Sequence, residues 1–315
     1  MYKNHKTAII IPAYNEERLI ADVLKRIPEY IDHIVVVDDH SRDATVQRVT
    51  EAQKTDKRIV LIENKSNQGC GGALAQGYHW SKDQNVDIAV RMDGDNQMDP
   101  EDLPGLLDPI VDNIADYTKG NRLFTGEAYS RIPKVRYFGN AILSLLTKIA
   151  SGYWHVADSQ SGFSAISKSA LHAINWDKMY KRYGNPNDIL VRLNVYNFRV
   201  ADVPVKPIYN VGEKSGIRIP VVVFTLSWML WKLFLWRLKE KYIVRDFHPL
   251  IFFYIMGFSL LLLSALFLGT ALCLRMQQGF FPPITSLSFL FSLSMGFQSL
   301  FFAMWFDMDY NRNQR

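Results

Sequence analysis

Two carboxylates and a carboxamide alternate in Asp93-Gly94-Asp95-Asn96-Gln97. In an extended segment, side chains at these spacings share a face. An all-oxygen set of this kind suits Mg2+ or Mn2+, which keep several waters and are held by one or two carboxylates together with phosphate oxygens. Alone, such a string is common on solvated turns. Here it closes an apolar run at 87–92, and a second acidic pair, Asp38-Asp39, closes another. An acid in that position commonly hydrogen-bonds a ribose hydroxyl. The glycine-rich stretch Asn67-Gln68-Gly69-Cys70-Gly71-Gly72-Ala73 would let a nucleotide approach the backbone. It is not a P-loop, because no Gly-Lys-Ser/Thr follows, and Leu74 stands where a dinucleotide fingerprint needs its third glycine. A basic cluster, Lys119, Arg122, Arg131, Lys134 and Arg136, is either a solvated face or an anion site, arginine being suited to bidentate phosphate binding.

The elements that must position these groups alternate. Residues 7–12, 33–38, 59–63 and 87–92 read as buried strands. Residues 15–27, 43–54 and 73–80 read as helices, the first with Asn15 as N-cap. That alternation predicts an α/β fold with a mostly parallel sheet and helices on both faces. Ligands on such sheets bind beyond the carboxyl ends of the strands, where Tyr14–Glu17, Asp38-Asp39, 67–72 and 93–97 all fall.

Charge is unevenly divided. Residues 217–315 contain nine basic and four acidic residues, the whole of the net +5, and residues 1–216 contain 27 of each. A basic nucleic-acid-binding face on the first part is therefore not expected. The two cysteines have no metal or disulfide spacing, and the first residues lack the pattern of a cleaved signal. Residues 249–274 and 279–306 are free of charge and long enough to span a bilayer as a hairpin. Basic residues flank the pair and only Arg275 lies between the spans, which places both flanks, and the first part, on the cytoplasmic side. Residues 217–238, apolar but interrupted by Lys232 and Arg237 and carrying Trp228, Trp231 and Trp236, suit a helix at the bilayer surface. A third crossing is the alternative, against the charge rule. The expected division is 1–216 as a cytoplasmic catalytic domain, 217–246 as an amphipathic juxtamembrane segment and 247–315 as a transmembrane hairpin with a short tail.

Taken in order, Pro12-Ala13-Tyr14-Asn15-Glu16, Asp38-Asp39-x-Ser41-x-Asp43-x-Thr45, Asn67-x-Gly69-x-Gly71-x-Ala73, Met92-Asp93-Gly94-Asp95-x-Gln97 and Asp158-x-x-Ser161-Gly162-Phe163 resemble the inverting family 2 glycosyltransferases of GT-A fold. More narrowly they resemble the polyprenyl-phosphate branch, which includes dolichyl-phosphate mannose synthase and dolichyl-phosphate glucosyltransferase. The resemblance implies transfer of a sugar from a UDP- or GDP-sugar to a membrane polyprenyl phosphate. Pro12, Tyr14, Glu16, Asp38, Asp39, Gly69, Asp93 and Lys214 would bind the nucleotide-sugar. Asp93, Asp95 and Gln97 would hold Mg2+ or Mn2+. Arg122, Arg136 and its rival Arg131 would bind the acceptor phosphate. Asp95, Arg122, Asp158 and Asp188 would form the catalytic set, Asp188 standing where the family often has a glutamate. A hydroxyl acceptor is the alternative; it would need Asp158 or Asp188 as general base, and the Gln-x-x-Arg-Trp string of polysaccharide synthases is absent. A non-catalytic nucleotide-sugar-binding membrane protein is a further alternative. The oligomeric state is left open, a homo-oligomer included.

Overall fold

The computed structural model describes residues 1–124, 134–206, 208 and 219–314, with side chains at all but 134–138, 140 and 219–222. The chain divides into two compact units, Met1–Phe234 with Gln314–Arg315, and Leu235–Asn313.

The first unit is built on seven strands: β1 (Thr7–Ala13), β2 (His33–Asp38), β3 (Ile59–Glu63), β4 (Ile88–Arg91), β5 (Tyr117–Asn121), β6 (Ser164–Ser167) and β7 (Val200–Pro204). Their order is β3-β2-β1-β4-β6-β5-β7. All pairings are parallel except those of β6, which runs antiparallel to both β4 and β5. The sheet is thus mostly parallel, with one reversed strand in its interior. Strand side chains alternate between faces, so Ile9 and Ile11 enter one core cluster and Ala8 and Ile10 the other. Both faces are covered, and β1 and β2 accordingly read as continuous apolar runs.

Helices α1 (Ile20–Arg26), α2 (Thr45–Thr55), α3 (Cys70–Asp83), α4 (Leu103–Val111), α5 (Lys134–Ser151), α6 (Lys168–Ala173), α7 (Asn185–Val195) and α8 (Ile219–Lys239) follow. The first begins at Ile20, not at Asn15. Asn15 takes a left-handed φ of 58°, and its carboxamide accepts from the Arg42 N–H at 2.9 Å. It therefore stitches two loops together and does not cap a helix. Leu226 and Met229 of α8 pack against Gly184 so closely that a Cβ there would lie 2.6 Å and 2.7 Å from them. Phe224, Trp228 and Trp231 of the same helix are exposed, and the Lys232 ammonium lies 5.1 Å from the Trp228 ring centre.

The second unit contains the end of α8, a π-helical turn (Glu240–Arg245), α9 (Leu250–Gln278) and α10 (Pro283–Tyr310). Among the described residues, α9 and α10 are the two helices long and apolar enough to cross a membrane. Their seam is made of small residues: Gly257, Ser264 and Ala271 on α9 meet a face of α10 bearing Ser292, Gly296, Ser299 and Ala303. Ser299 donates to the Phe253 carbonyl at 2.9 Å and Ser264 to that of Phe289 at 3.3 Å. Small residues let backbones approach, and hydroxyls bonded across the seam add to close packing. Phe252, Leu262, Leu266, Ile284, Phe291 and Phe301 face outward. Arg237 and Asp307 form a buried pair with two bonds of 2.9 Å, joined by the Tyr242 hydroxyl and Asn311.

Candidate active site

The sequence places polar residues at the carboxyl ends of β1, β2, β3 and β4, and tertiary contacts organise them. The turn after β1 is sewn to the turn after β2. Asn15 N–H donates to Ser41 Oγ at 2.9 Å, Glu16 N–H to Thr45 Oγ1 at 2.8 Å and Glu17 N–H to Asp43 at 3.2 Å. Ser41, Asp43 and Thr45 are thus the ties that fix the first loop against the second. They leave Tyr14 with an exposed ring, Pro12 and Glu16 partly exposed, and Asp38 buried with Oδ2 accepting the Ser41 N–H at 3.0 Å. Asp38 Oδ1 is buried without a hydrogen-bond partner.

Asp39 is more committed. Its carboxylate accepts the N–H groups of Gln68 (2.8 Å) and Gly69 (2.7 Å) and the Asn64 amide (2.9 Å). It thereby fixes the glycine-rich loop that begins α3. Gly69 has φ 81°, and a Cβ at Gly69 or Gly71 would run into the backbone of Lys181 or Tyr180. The Gly71 N–H donates to the Lys181 carbonyl at 2.9 Å. The chain at 180–181 by itself requires glycine at both positions.

The carboxylates of the 93–97 string do not lie on an extended segment. The chain turns at Gly94-Asp95, Asn96 has φ 59°, and Asp95 Oδ1 accepts the Gln97 N–H at 3.1 Å. The two-residue alternation instead operates one pair earlier: Arg91 at the end of β4 and Asp93 point the same way, and Arg91 Nε donates to Asp93 Oδ1 at 3.0 Å. Glu16 stands nearby. Burial, together with the charges of Asp95 and Asp93, pushes its carboxyl up to about 7. Negative potential is thus concentrated at the tip of β4. Among the described residues no three His, Cys, Asp or Glu side chains converge into a closed cage. Two carboxylates with further oxygens and an open remainder fit a hard divalent cation that completes its shell with water and phosphate.

Beyond β5, Arg122 and Asp158 form a fork. Arg122 Nε and Nη2 donate to the two carboxylate oxygens at 2.8 Å and 3.1 Å. Asp158 also accepts the backbone N–H groups of Arg122 (3.3 Å), Gln160 and Ser161 (both 3.2 Å). The Arg122 charge and these bonds hold its carboxyl below the usual range against the opposing effect of burial. Lys119 is fully buried behind it and donates to the Ser161 carbonyl. Burial drives its ammonium down to about 7, although Asp158 opposes that shift. Of the basic cluster, Lys119 and Arg122 are therefore an internal strut and a paired, partly exposed guanidinium. Lys134 and Arg136 lie in the first turn of α5, and Arg131, Lys214 and Ser215 lie outside the described residues.

Asp188, on α7, is buried. Arg192 Nε donates to it at 2.9 Å and the Tyr180 N–H at 2.6 Å. Burial raises its carboxyl in spite of Arg192. Its neighbour Asn187 accepts from Gln160 at 3.3 Å, and the Asn187 amide nitrogen is buried without a partner. Arg91, Asn185 and the Gln160–Asn187 contact were not anticipated. Arg91 had a signal, as a charge inside an otherwise apolar strand; the three amides had none.

The chain matches the sequence profile of Glycosyl transferase family 2 over residues 8–174. It is 33% identical over 238 residues to a UDP-N-acetylglucosamine–dolichyl-phosphate N-acetylglucosaminyltransferase of Methanococcus voltae, covering 70% of this chain and 94% of that one. It is 30% identical over 228 residues to an undecaprenyl-phosphate mannosyltransferase of Micrococcus luteus, covering 70% and 93%. Among solved structures, glucosyl-3-phosphoglycerate synthase of Mycobacterium tuberculosis, in complex with Mn2+, UDP and phosphoglyceric acid, superposes with a TM-score of 0.56 at 18% identity, covering 75% of this chain and 79% of that one. That likeness bears out the GT-A fold. The chain belongs to glycosyl transferase family 2.

Proposed function

We propose that this glycosyltransferase moves a sugar from a nucleoside-diphosphate sugar to a membrane polyprenyl phosphate, with inversion. The observation that carries this reading is the state of the two carboxylates that could serve a hydroxyl acceptor as general base. Asp158 accepts five hydrogen bonds and is held ionised by Arg122. Asp188 is buried against Arg192 and the Tyr180 N–H. Both are buried and engaged by an arginine, so neither is presented to an incoming alcohol as a general base. A phosphate monoester needs no such base, because its second pKa is about 6 and it arrives ionised. The names of the relatives, whose acceptors are dolichyl and undecaprenyl phosphate, agree.

In this reading Pro12, Tyr14, Glu16, Asp38 and Asp39 define the nucleoside end, Asp39 by shaping the loop beneath it. Asp93, Asp95 and Gln97 would hold Mg2+ or Mn2+, whose charge stabilises the leaving diphosphate. Arg122 presents its guanidinium to the acceptor phosphate, with Asp158 fixing its plane. Positioning of an already ionised nucleophile then supplies the rate. Arg131 and Arg136 are proposed as further acceptor-phosphate contacts, and Gly69 and Lys214 as nucleotide-sugar contacts, from the sequence motifs. The helices α9 and α10 are proposed as a transmembrane hairpin with residues 1–216 on its cytoplasmic side, and the Trp-rich exposed side of α8 as a bilayer-surface element.

The test is an assay of the purified full chain with UDP- and GDP-sugars against polyprenyl phosphate and, in parallel, the matching free polyprenol. Glycolipid formed only from the phosphate supports the reading. Equal transfer to the alcohol would overturn it.

A further inference from the structure

Arg91 is the one strand residue of β4 that is charged, and it is buried. Its guanidinium is used at both ends. Nε and Nη2 face Asp93 Oδ1 and Oδ2 at 3.0 Å and 3.4 Å, Nη1 donates to Asn185 Oδ1 at 2.5 Å, and Nη2 lies 3.4 Å from Cys70 Sγ. Cys70 begins α3, directly after the loop shaped by Asp39, and Asn185 begins α7. Gly162 closes the pair from outside: a Cβ there would come within 2.8 Å of Asp93 Oδ2 and 2.9 Å of Arg91 Nη2. Three chain segments thus converge on one side chain, whose planar fork sets the plane of the first carboxylate of the 93–97 string.

We propose that Arg91 is the positioning residue for Asp93. It locks that carboxylate, together with the starts of α3 and α7, in the orientation that receives the divalent cation of the nucleoside diphosphate. This rests on the metal-binding reading of Asp93 and Asp95 given above. Each carboxylate oxygen accepts two bonds, so a bond to Arg91 leaves a lone pair on each for a cation. A fixed carboxylate loses no freedom on binding one. The role is specific to the fork: lysine would keep the charge but offer a single flexible ammonium that cannot define a plane. Groups that orient a metal-binding side chain typically change metal affinity by about 10- to 100-fold when removed.

The experiment measures nucleoside-diphosphate binding (UDP, with GDP in its place throughout if the transfer assay selects a GDP-sugar) to the purified full chain by calorimetry across a Mn2+ series, with Mn2+ binding followed separately by electron paramagnetic resonance. In Arg91→Lys the Mn2+ concentration for half-maximal UDP binding should rise about 10-fold or more. UDP binding without metal should change less than about two-fold, because the nucleoside contacts are untouched. In an Asp93→Asn background the same change should add nothing. A Mn2+ requirement identical to wild type in Arg91→Lys would overturn the proposal, and activity and melting temperature falling together would then mark Arg91 as purely structural. Should Arg91→Lys fail to fold, Asn185→Ala decides, since it removes only the amide anchoring the far end of the fork; a smaller shift in the same direction supports the proposal and none overturns it. Wild-type UDP binding that ignores Mn2+ would instead defeat the metal reading itself.

Discussion

Three arginine–aspartate pairs, two in the first unit and one in the second, are built differently. In the first, Arg91–Asp93 shows the acid: the Asp93 side chain is 27% exposed and that of Arg91 6%. Arg122–Asp158 shows the base, at 28% against 5% for its aspartate. In the second, Arg237 and Asp307 are both fully enclosed. A pair with one member at the surface holds that member rigid and still available to a ligand; in the proposed function that ligand is a cation in the first case and an anion in the second. A pair closed at both ends has nothing left to offer a ligand and can only tie elements together. The same two side chains therefore serve a site or a scaffold according to which end reaches solvent.

The largest expected effect lies beside the first pair, at the second carboxylate of the proposed cation site: Asp95→Ala. It should lower Mg2+- or Mn2+-supported transfer by about 10²–10³-fold or more, in line with the loss of a group that stabilises developing charge, with the melting temperature nearly unchanged. Retained activity would remove Asp95 from the metal site. Next, Arg122→Ala should reduce transfer about 100-fold through the response to acceptor, with nucleotide-sugar binding unchanged in calorimetry. An unaltered acceptor titration would return Arg122 to a structural role.

Arg237→Met should behave in the opposite way. An unpaired buried Asp307 costs about 3–5 kcal/mol, and replacing both partners by apolar residues restores much of it. Thermal unfolding in detergent should show the loss in Arg237→Met and its recovery in Arg237→Met/Asp307→Leu, with UDP binding constant in both. Loss of UDP binding in the single variant would erase the distinction between the units.

The smallest effect is in pH. The folded Asp158 carboxyl lies below its ordinary value, so the stability drawn from Arg122 is complete above about pH 4, the unfolded value, and fades as pH falls through the folded one. The stability gap between wild type and Arg122→Gln should be flat above about pH 4 and narrow below it, read from urea unfolding. A gap that widens on acidification would contradict the pairing.

Much of this was legible in the residues. Runs such as TAIIIP and HIVVVD announced buried strands, and the placement of Asp38, Gly69 and Asp93 after them marked the edge where chemistry belongs. Asn15 misled because a residue favoured at helix N-caps is favoured equally in left-handed turns, where its carboxamide can serve a neighbouring loop. The 93–97 string misled because alternation holds only while the chain stays extended, and it turns at Gly94.

Local patterns alone determined the first four strands and the three helices between them, the two uncharged helices of the second unit and the ordered motifs of the family, because periodicity and turn chemistry act over a few residues. Strand direction was beyond them: β6 pairs antiparallel with β4 at the middle of the sheet. So was the state of each carboxylate. Asp158 meets Arg122 across 36 residues, Arg91 meets Asn185 across 94, and Arg237 meets Asp307 across 70. Whether an aspartate is a free base, a metal ligand or half of a strut depends on which donors the fold brings within about 3 Å and how much water it leaves there. Those distances exist only once the chain is folded.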